Sequence, residues 1–224
     1  MFDNRGFWNE AKGSFRLLLQ RPAFVLISFA PALVFSLILF LSQVRRLVWV
    51  SSYFQTLPIS GLGILGMVAF FLSMSILVAL VWDYQYRGVI DFRRGYRIIQ
   101  SRFSDIGIAS LALGFLIGFF SIWFVFPGFF LAFLLLFSLP AIVIGGDDPF
   151  SAVKTSFRMV YENLAEVFAF FILSLSLLIA GYLVTWIVGF LPLIGFFINI
   201  FFIAFLLTYL SILMTRFYLS LSRY

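Results

Sequence analysis

The chain has 224 residues, 15 of them Lys or Arg and nine Asp or Glu, with a formal net charge of +6 and a mean hydropathy of +1.13. At 63% hydrophobic and 11% charged residues it has too little polar surface to face water as a soluble globule, so its solvent is a bilayer. It has neither cysteine nor histidine, which excludes disulfides, the usual zinc and haem ligands and the usual neutral-pH base.

In chain order, a polar segment carrying Arg5, Lys12, Arg16 and Arg21 leads into a first apolar run, Pro22–Ser42. Ala30-Pro31-Ala32 loosely resembles a signal-peptide cleavage site, but ten more apolar residues follow, so the run reads as a span kinked at Pro31. Arg45 and Arg46 follow it, then a second run, Gly61–Trp82, and an arginine-rich segment with Arg87, Arg93, Arg94, Arg97 and Arg102. Runs three and four, Ile106–Phe126 and Phe129–Ile144, are parted by Pro127-Gly128, which reads as a tight turn. A segment with Lys154 and Arg158 precedes runs five and six, Val167–Val188 and Leu193–Met214, parted by a turn at "GFLP" around Pro192. A spanning helix takes about 20 apolar residues. A barrel would alternate apolar and polar residues, which "LALGFLIGFFSIWFVF" does not. The expectation is an all-α integral membrane protein with six transmembrane helices, a single polytopic domain over residues 1–224.

Thirteen of the fifteen basic residues fall on one side of these runs, which the positive-inside rule assigns to the cytoplasm together with both termini. Arg45 and Arg46 lie on the other side. They read as snorkelling past a helix C-terminus, with attraction of anions as the alternative.

The three cationic segments share a register. Aligning Phe15-Arg16, Tyr96-Arg97 and Phe157-Arg158 places Trp8, Ala11, Phe15 and Leu18 over Val89, Phe92, Tyr96 and Ile99, and over Phe150, Val153, Phe157 and Val160, in each case on one helical face. Each copy sets two cations four residues apart beside that face: Lys12 and Arg16, Arg93 and Arg97, Lys154 and Arg158. The expected organisation is three repeats, about 7–82, 88–144 and 149–214, each an amphipathic interfacial helix followed by a transmembrane hairpin. Asp148 and Pro149 form the clearest helix start, as N-cap and first helical residue, and Asp147-Asp148 reads as a cap before it reads as a metal site.

No nucleophile–base pair or carboxylate pair is visible, and Asp83, Asp91, Asp105, Glu162 and Glu166 read as solvated partners of the arginines, so no enzyme, cofactor or metal is expected. No span carries an ionisable residue in its central part, whereas ion-driven transport normally leaves one there. Ser110, Gly114 and Gly118 form a small-residue column suited to close helix packing, and Asn199 reads as a polar core residue making an interhelical hydrogen bond.

From Phe126 onward, Pro127-Gly128, Pro140-Ala141, the "A-x-K-x-S" of Ala152, Lys154 and Ser156, and Phe217-Tyr218-Leu219 form a set. It resembles a broad group of prokaryotic multi-pass proteins that includes the membrane domain attached to some glycerophosphoryl diester phosphodiesterases. The phosphodiesterase barrel has no counterpart here, so the resemblance brings no catalytic residue. "RPAFVLISFAPAL" and "LPLIGFFINI" are more weakly similar to the cysteine-operon sulfate permeases. The resemblance implies a prokaryotic cell (inner) membrane.

The function expected is a non-enzymatic, structural, assembly or lipid-interacting role. Lys12, Arg16, Arg93, Arg97, Lys154 and Arg158 would bind anionic headgroups of the cytoplasmic leaflet. The alternative is a permease for a small solute, anion or lipid. Expected partners are membrane lipids and a second copy or another membrane protein, with no nucleic acid.

Overall fold

A computed structural model describes residues 4–47, 56–88, 90–123, 125–188 and 191–222, and every regular element among them is helical. In chain order these are α1 (Asn4–Gln20), α2 (Ala23–Ile27), α3 (Phe29–Leu47), α4 (Thr56–Arg87), α5 (Phe92–Ser101), α6 (Phe103–Trp123), α7 (Val125–Leu134), α8 (Ser138–Pro140), α9 (Pro149–Glu162), α10 (Leu164–Val188) and α11 (Pro192–Leu221). A π-helical turn, Ala141–Gly145, continues α8. Among the described residues, five helical stretches are long and apolar enough to cross a bilayer: Leu62–Arg87, Phe103–Phe120, Phe126–Gly145, Leu164–Val188 and Ile194–Leu221. The protein is a multi-pass, membrane-embedded helical bundle.

The first apolar run is not one helix. It is divided at Ser28, three residues before Pro31, and its described apolar part, Phe29–Phe40, is shorter than a span. Proline clashes with the carbonyl four residues earlier, here that of Ile27. The helix therefore ends at Ile27, and the expected kink at Pro31 is displaced to Ser28, whose amide turns back to the Val25 carbonyl at 3.1 Å. The Thr208 and Ser28 hydroxyls, 2.8 Å apart, bind this break to α11.

The same rule divides the fourth run. Pro140 interrupts the helix around Leu136, leaving the turn Leu135–Phe137 between α7 and α8. The expected turn at Pro127-Gly128 lies instead inside the first turn of α7, where a proline costs nothing because the amide there has no partner within the helix.

Helix α4 is central, packing on α6, α3 and α11, while α10 turns most of its surface outward. The main core joins Met74 and Val78 to Ile106, Phe137, Val160 and Leu213. A second cluster sets Leu17 and Leu18 of α1 against Leu77, Leu80 and Ile212.

The short helices α1, α5 and α9 end at Gln20, Ser101 and Glu162, four residues after the aligned Arg16, Arg97 and Arg158, and in each case the next helix begins two or three residues later. Val89 and Ser52 lie outside the described residues, and so do the side chains of Arg45 and Arg46.

Candidate headgroup-facing surface

Each cationic helix is fixed to the bundle by its own local chemistry. On α1, Ala11, Ser14, Leu17 and Leu18 turn inward. Glu10 accepts a 2.6 Å charge-assisted hydrogen bond from Arg216 Nε on α11, and the Tyr209 hydroxyl donates to the Ala11 carbonyl at 3.3 Å. On α5, Asp91 is the N-cap, accepting from the amides of Arg93 at 2.9 Å and Arg94 at 3.3 Å. Gly95 sits so close to α4 that a Cβ there would lie 2.6 Å from Leu80 Cδ2.

Helix α9 starts as its sequence dictates. Asp148 accepts from the amides of Phe150 and Ser151, with Pro149 in the first turn. Its carboxyl is held below the ordinary carboxylate value, chiefly by the Ser151 hydroxyl and further by these amides. Asp147 accepts from the Thr155 hydroxyl at 2.6 Å. Ala152, Ser156 and Val160 form the buried stripe. Gly146, at φ +86°, closes the preceding π turn with the left-handed geometry that glycine tolerates. Arg102 lies against it and donates to the Ile142 carbonyl at 3.1 Å.

Lys12, Arg16, Arg93, Arg97, Lys154 and Arg158 are all exposed, and among the described residues none has a carboxylate within 4.0 Å. The apolar face expected beside them is divided. Ala11, Leu18 and Val160 are buried, whereas Trp8, Phe15, Phe92, Tyr96, Phe150 and Phe157 are exposed, Phe150 at 82%. Aromatic rings with an apolar body beside cations are the composition found at bilayer interfaces.

The residue before the aligned aromatic is small and buried in all three helices: Ser14, whose hydroxyl bonds the Glu10 carbonyl of its own helix, Gly95 and Ser156. Sequence reasoning missed it, although a small residue in the same register of all three segments was there to be seen. Asp83 is the arginine partner expected, but it is not solvated. Its side chain is 2% exposed, and it is shared by Arg87 Nε at 3.7 Å and Arg94 Nε at 3.6 Å.

Inside the bundle, a Cβ on Gly114 would meet Val68, Gly118 lies over Ile64, and Ser110 is buried. Asn199 is buried, but its Oδ1 has no hydrogen-bond partner among the described residues. A cavity of about 450 Å³ lies between α4, α6, α7, α10 and α11, walled by Met67, Phe71, Met74, Phe129, Phe171 and Met214. Its two polar linings, Ser174 and Ser211, bond the carbonyls of Phe170 and Leu207 in their own helices. Asn199 is not among the lining residues.

No family model, no curated protein and no solved structure matches this chain, and nothing links it to the phosphodiesterase membrane domains expected from its second half.

Proposed function

We propose that this is a non-enzymatic, lipid-interacting protein of a prokaryotic inner membrane, with six membrane-inserted segments arranged as three repeats and both termini in the cytoplasm. In this reading α2 and α3 together form the first inserted segment. The three amphipathic helices α1, α5 and α9 lie on the cytoplasmic leaflet, their cations toward anionic headgroups and their aromatics at the interface.

One observation carries this reading: three helices in one register bury a small residue at the same position and leave six exposed cations beside exposed aromatics. Paired like charges four residues apart weaken an isolated helix by a few tenths of a kcal/mol. Anionic lipid compensates them, attracting each nearby Lys or Arg by about 1 kcal/mol. The common end of the three helices, four residues past the aligned arginine, supports the repeat.

Replacing all six cations by Gln and reconstituting both proteins in nanodiscs of graded anionic lipid content tests this. Wild type is expected to enrich anionic lipid around itself in a salt-sensitive way, and the variant to lose the enrichment. Equal enrichment in both defeats the reading.

The cavity favours a second reading, a carrier for lipid or another apolar molecule. Its size falls within the roughly 300–1,000 Å³ of ligand sites, and its apolar walls suit an acyl chain better than an anion or a polar solute. Flux of a fluorescent lipid across proteoliposomes, lost on Met74→Trp, supports this reading. Unchanged flux in that variant removes it.

A further inference from the structure

The end of α4 and one side of α5 enclose an open groove of about 520 Å³, lined by Arg87, Asp91, Arg94, Arg97, Ile98 and Ser101. Arg87 and Arg94 come from different helices yet meet at one carboxylate oxygen, Oδ1 of the buried Asp83, each through Nε at 3.6–3.7 Å. Asp83 Oδ2 has no hydrogen-bond partner among the described residues, so the carboxylate engages the two guanidiniums from one edge. Approach through Nε leaves the terminal nitrogens of each fork as the donors available to the groove. Arg97 stands three residues after Arg94, hence on the same side of α5. The two acids near the groove are both engaged, Asp83 with these arginines and Asp91 as the N-cap of α5. Three guanidiniums against two carboxylates leave a net positive groove, with Arg87 and Arg94 drawn together by Asp83 and Arg97 exposed beside them.

Planar guanidinium forks match phosphate oxygens two at a time. A phosphate attached at one end only presents three free oxygens and up to two negative charges, whereas a phosphodiester presents two oxygens and one charge. We propose that this groove binds a terminal phosphate group, a phosphomonoester headgroup or free phosphate, with Arg87, Arg94 and Arg97 as its ligands and Asp83 as the positioning residue. The lipid form rests on the leaflet-facing placement of α5 proposed above, since the exposed Phe92 and Tyr96 would set the groove at headgroup level.

The full chain is reconstituted in phosphatidylcholine nanodiscs containing either phosphatidic acid, a phosphomonoester, or phosphatidylglycerol, a diester, and the co-retained lipid is counted by native mass spectrometry. Wild type is expected to retain phosphatidic acid over phosphatidylglycerol about fivefold, a difference of roughly 1 kcal/mol. The variant Asp83→Asn/Arg87→Gln/Arg94→Gln removes the buried charge together with its partners, so that no lone carboxylate is left in the core, and is expected to retain the two lipids equally. Should it fail to fold, Arg87→Lys/Arg94→Lys preserves the charge facing Asp83 while removing the planar forks, and it too is expected to lose the preference.

Displacement of phosphatidic acid by millimolar inorganic phosphate assigns the site to phosphate from solution; resistance to displacement assigns it to the lipid. An undiminished preference in the folded variants, or none in wild type, overturns the proposal. Both variants keep all six cations tested above. Because the six-Gln variant also removes Arg97, the groove is scored only in wild type and these two variants. Equal anionic enrichment in wild type and the six-Gln variant, with the monoester preference of wild type intact, defeats the leaflet reading alone. Enrichment lost in the six-Gln variant, with no monoester preference in wild type, defeats only the groove.

Discussion

The hydroxyl of Ser156 donates to the carbonyl of Leu134 at 2.7 Å and accepts from the amide of Phe137 at 3.0 Å. In an unbroken helix those two groups would pair with Ser138 and Phe133. Pro140 prevents this, and the Ser138 amide turns to Leu135 instead, at 3.1 Å. A side chain from α9 thus completes the backbone of the interrupted α7–α8 segment inside the buried core.

Ser156→Ala therefore leaves a buried donor and a buried acceptor unpaired, each costing on the order of 1–3 kcal/mol. Thermal unfolding in detergent should show a drop of several degrees. The control is Ser176→Ala, whose hydroxyl only back-bonds to Ile172 in its own exposed helical turn; it should fall within about 0.5 kcal/mol of wild type. Equal effects from the two substitutions would show that the Ser156 bonds carry no special weight.

Gly95 sets how closely α5 approaches α4, and with it whether Arg94 reaches Asp83. A Leu side chain there collides with Leu80, and such overpacking costs typically about 1–3 kcal/mol. Gly95→Leu should lower thermal stability by that amount, and Leu80→Ala in the same chain should return part of it. Additive losses in the double variant would mean that the two residues do not share one space.

The N-cap of α9 responds to acid in a definite direction. The folded pKa of Asp148 is held below its ordinary value, chiefly by the Ser151 hydroxyl, so the stability contributed by the cap is fully present above the unfolded value. It is lost as pH falls through the lower folded value. Hydrogen-exchange protection of the Phe150 and Ser151 amides should hold from neutrality down to about pH 4 and decline below it. Asp148→Asn should show no acid-specific loss. Constant protection across the acid range in wild type would contradict the cap's role.

The orientation can be tested directly because the chain has no native cysteine. Single cysteines at Ser52 and Ser151, labelled with an impermeant reagent on intact cells, should react at position 52 and stay silent at position 151. The reverse pattern inverts the topology.

The apolar runs, the cation distribution and the aligned register are one-dimensional properties, and they made a helical membrane protein legible before any fold was known. The N-cap at Asp148 was legible for the same reason, since a cap is completed by its own next three residues. The effect of Pro31 was legible in kind but not in place, since it acts four residues upstream on Ile27, and the break that Pro140 makes around Leu136 was not read from the sequence, which showed only one continuous apolar run there. Only the tertiary structure decided which residues of the cationic helices face inward. An aromatic and a leucine are equally apolar on a helical wheel, and packing alone separated the exposed Phe15 from the buried Leu18. It also decided the fate of Asp83, buried on α4 and met there by Arg94 from α5, which Gly95 lets approach closely. No local pattern records an encounter between residues eleven positions apart across a helix break, because its free energy comes from desolvation and charge pairing that exist only once the helices have packed.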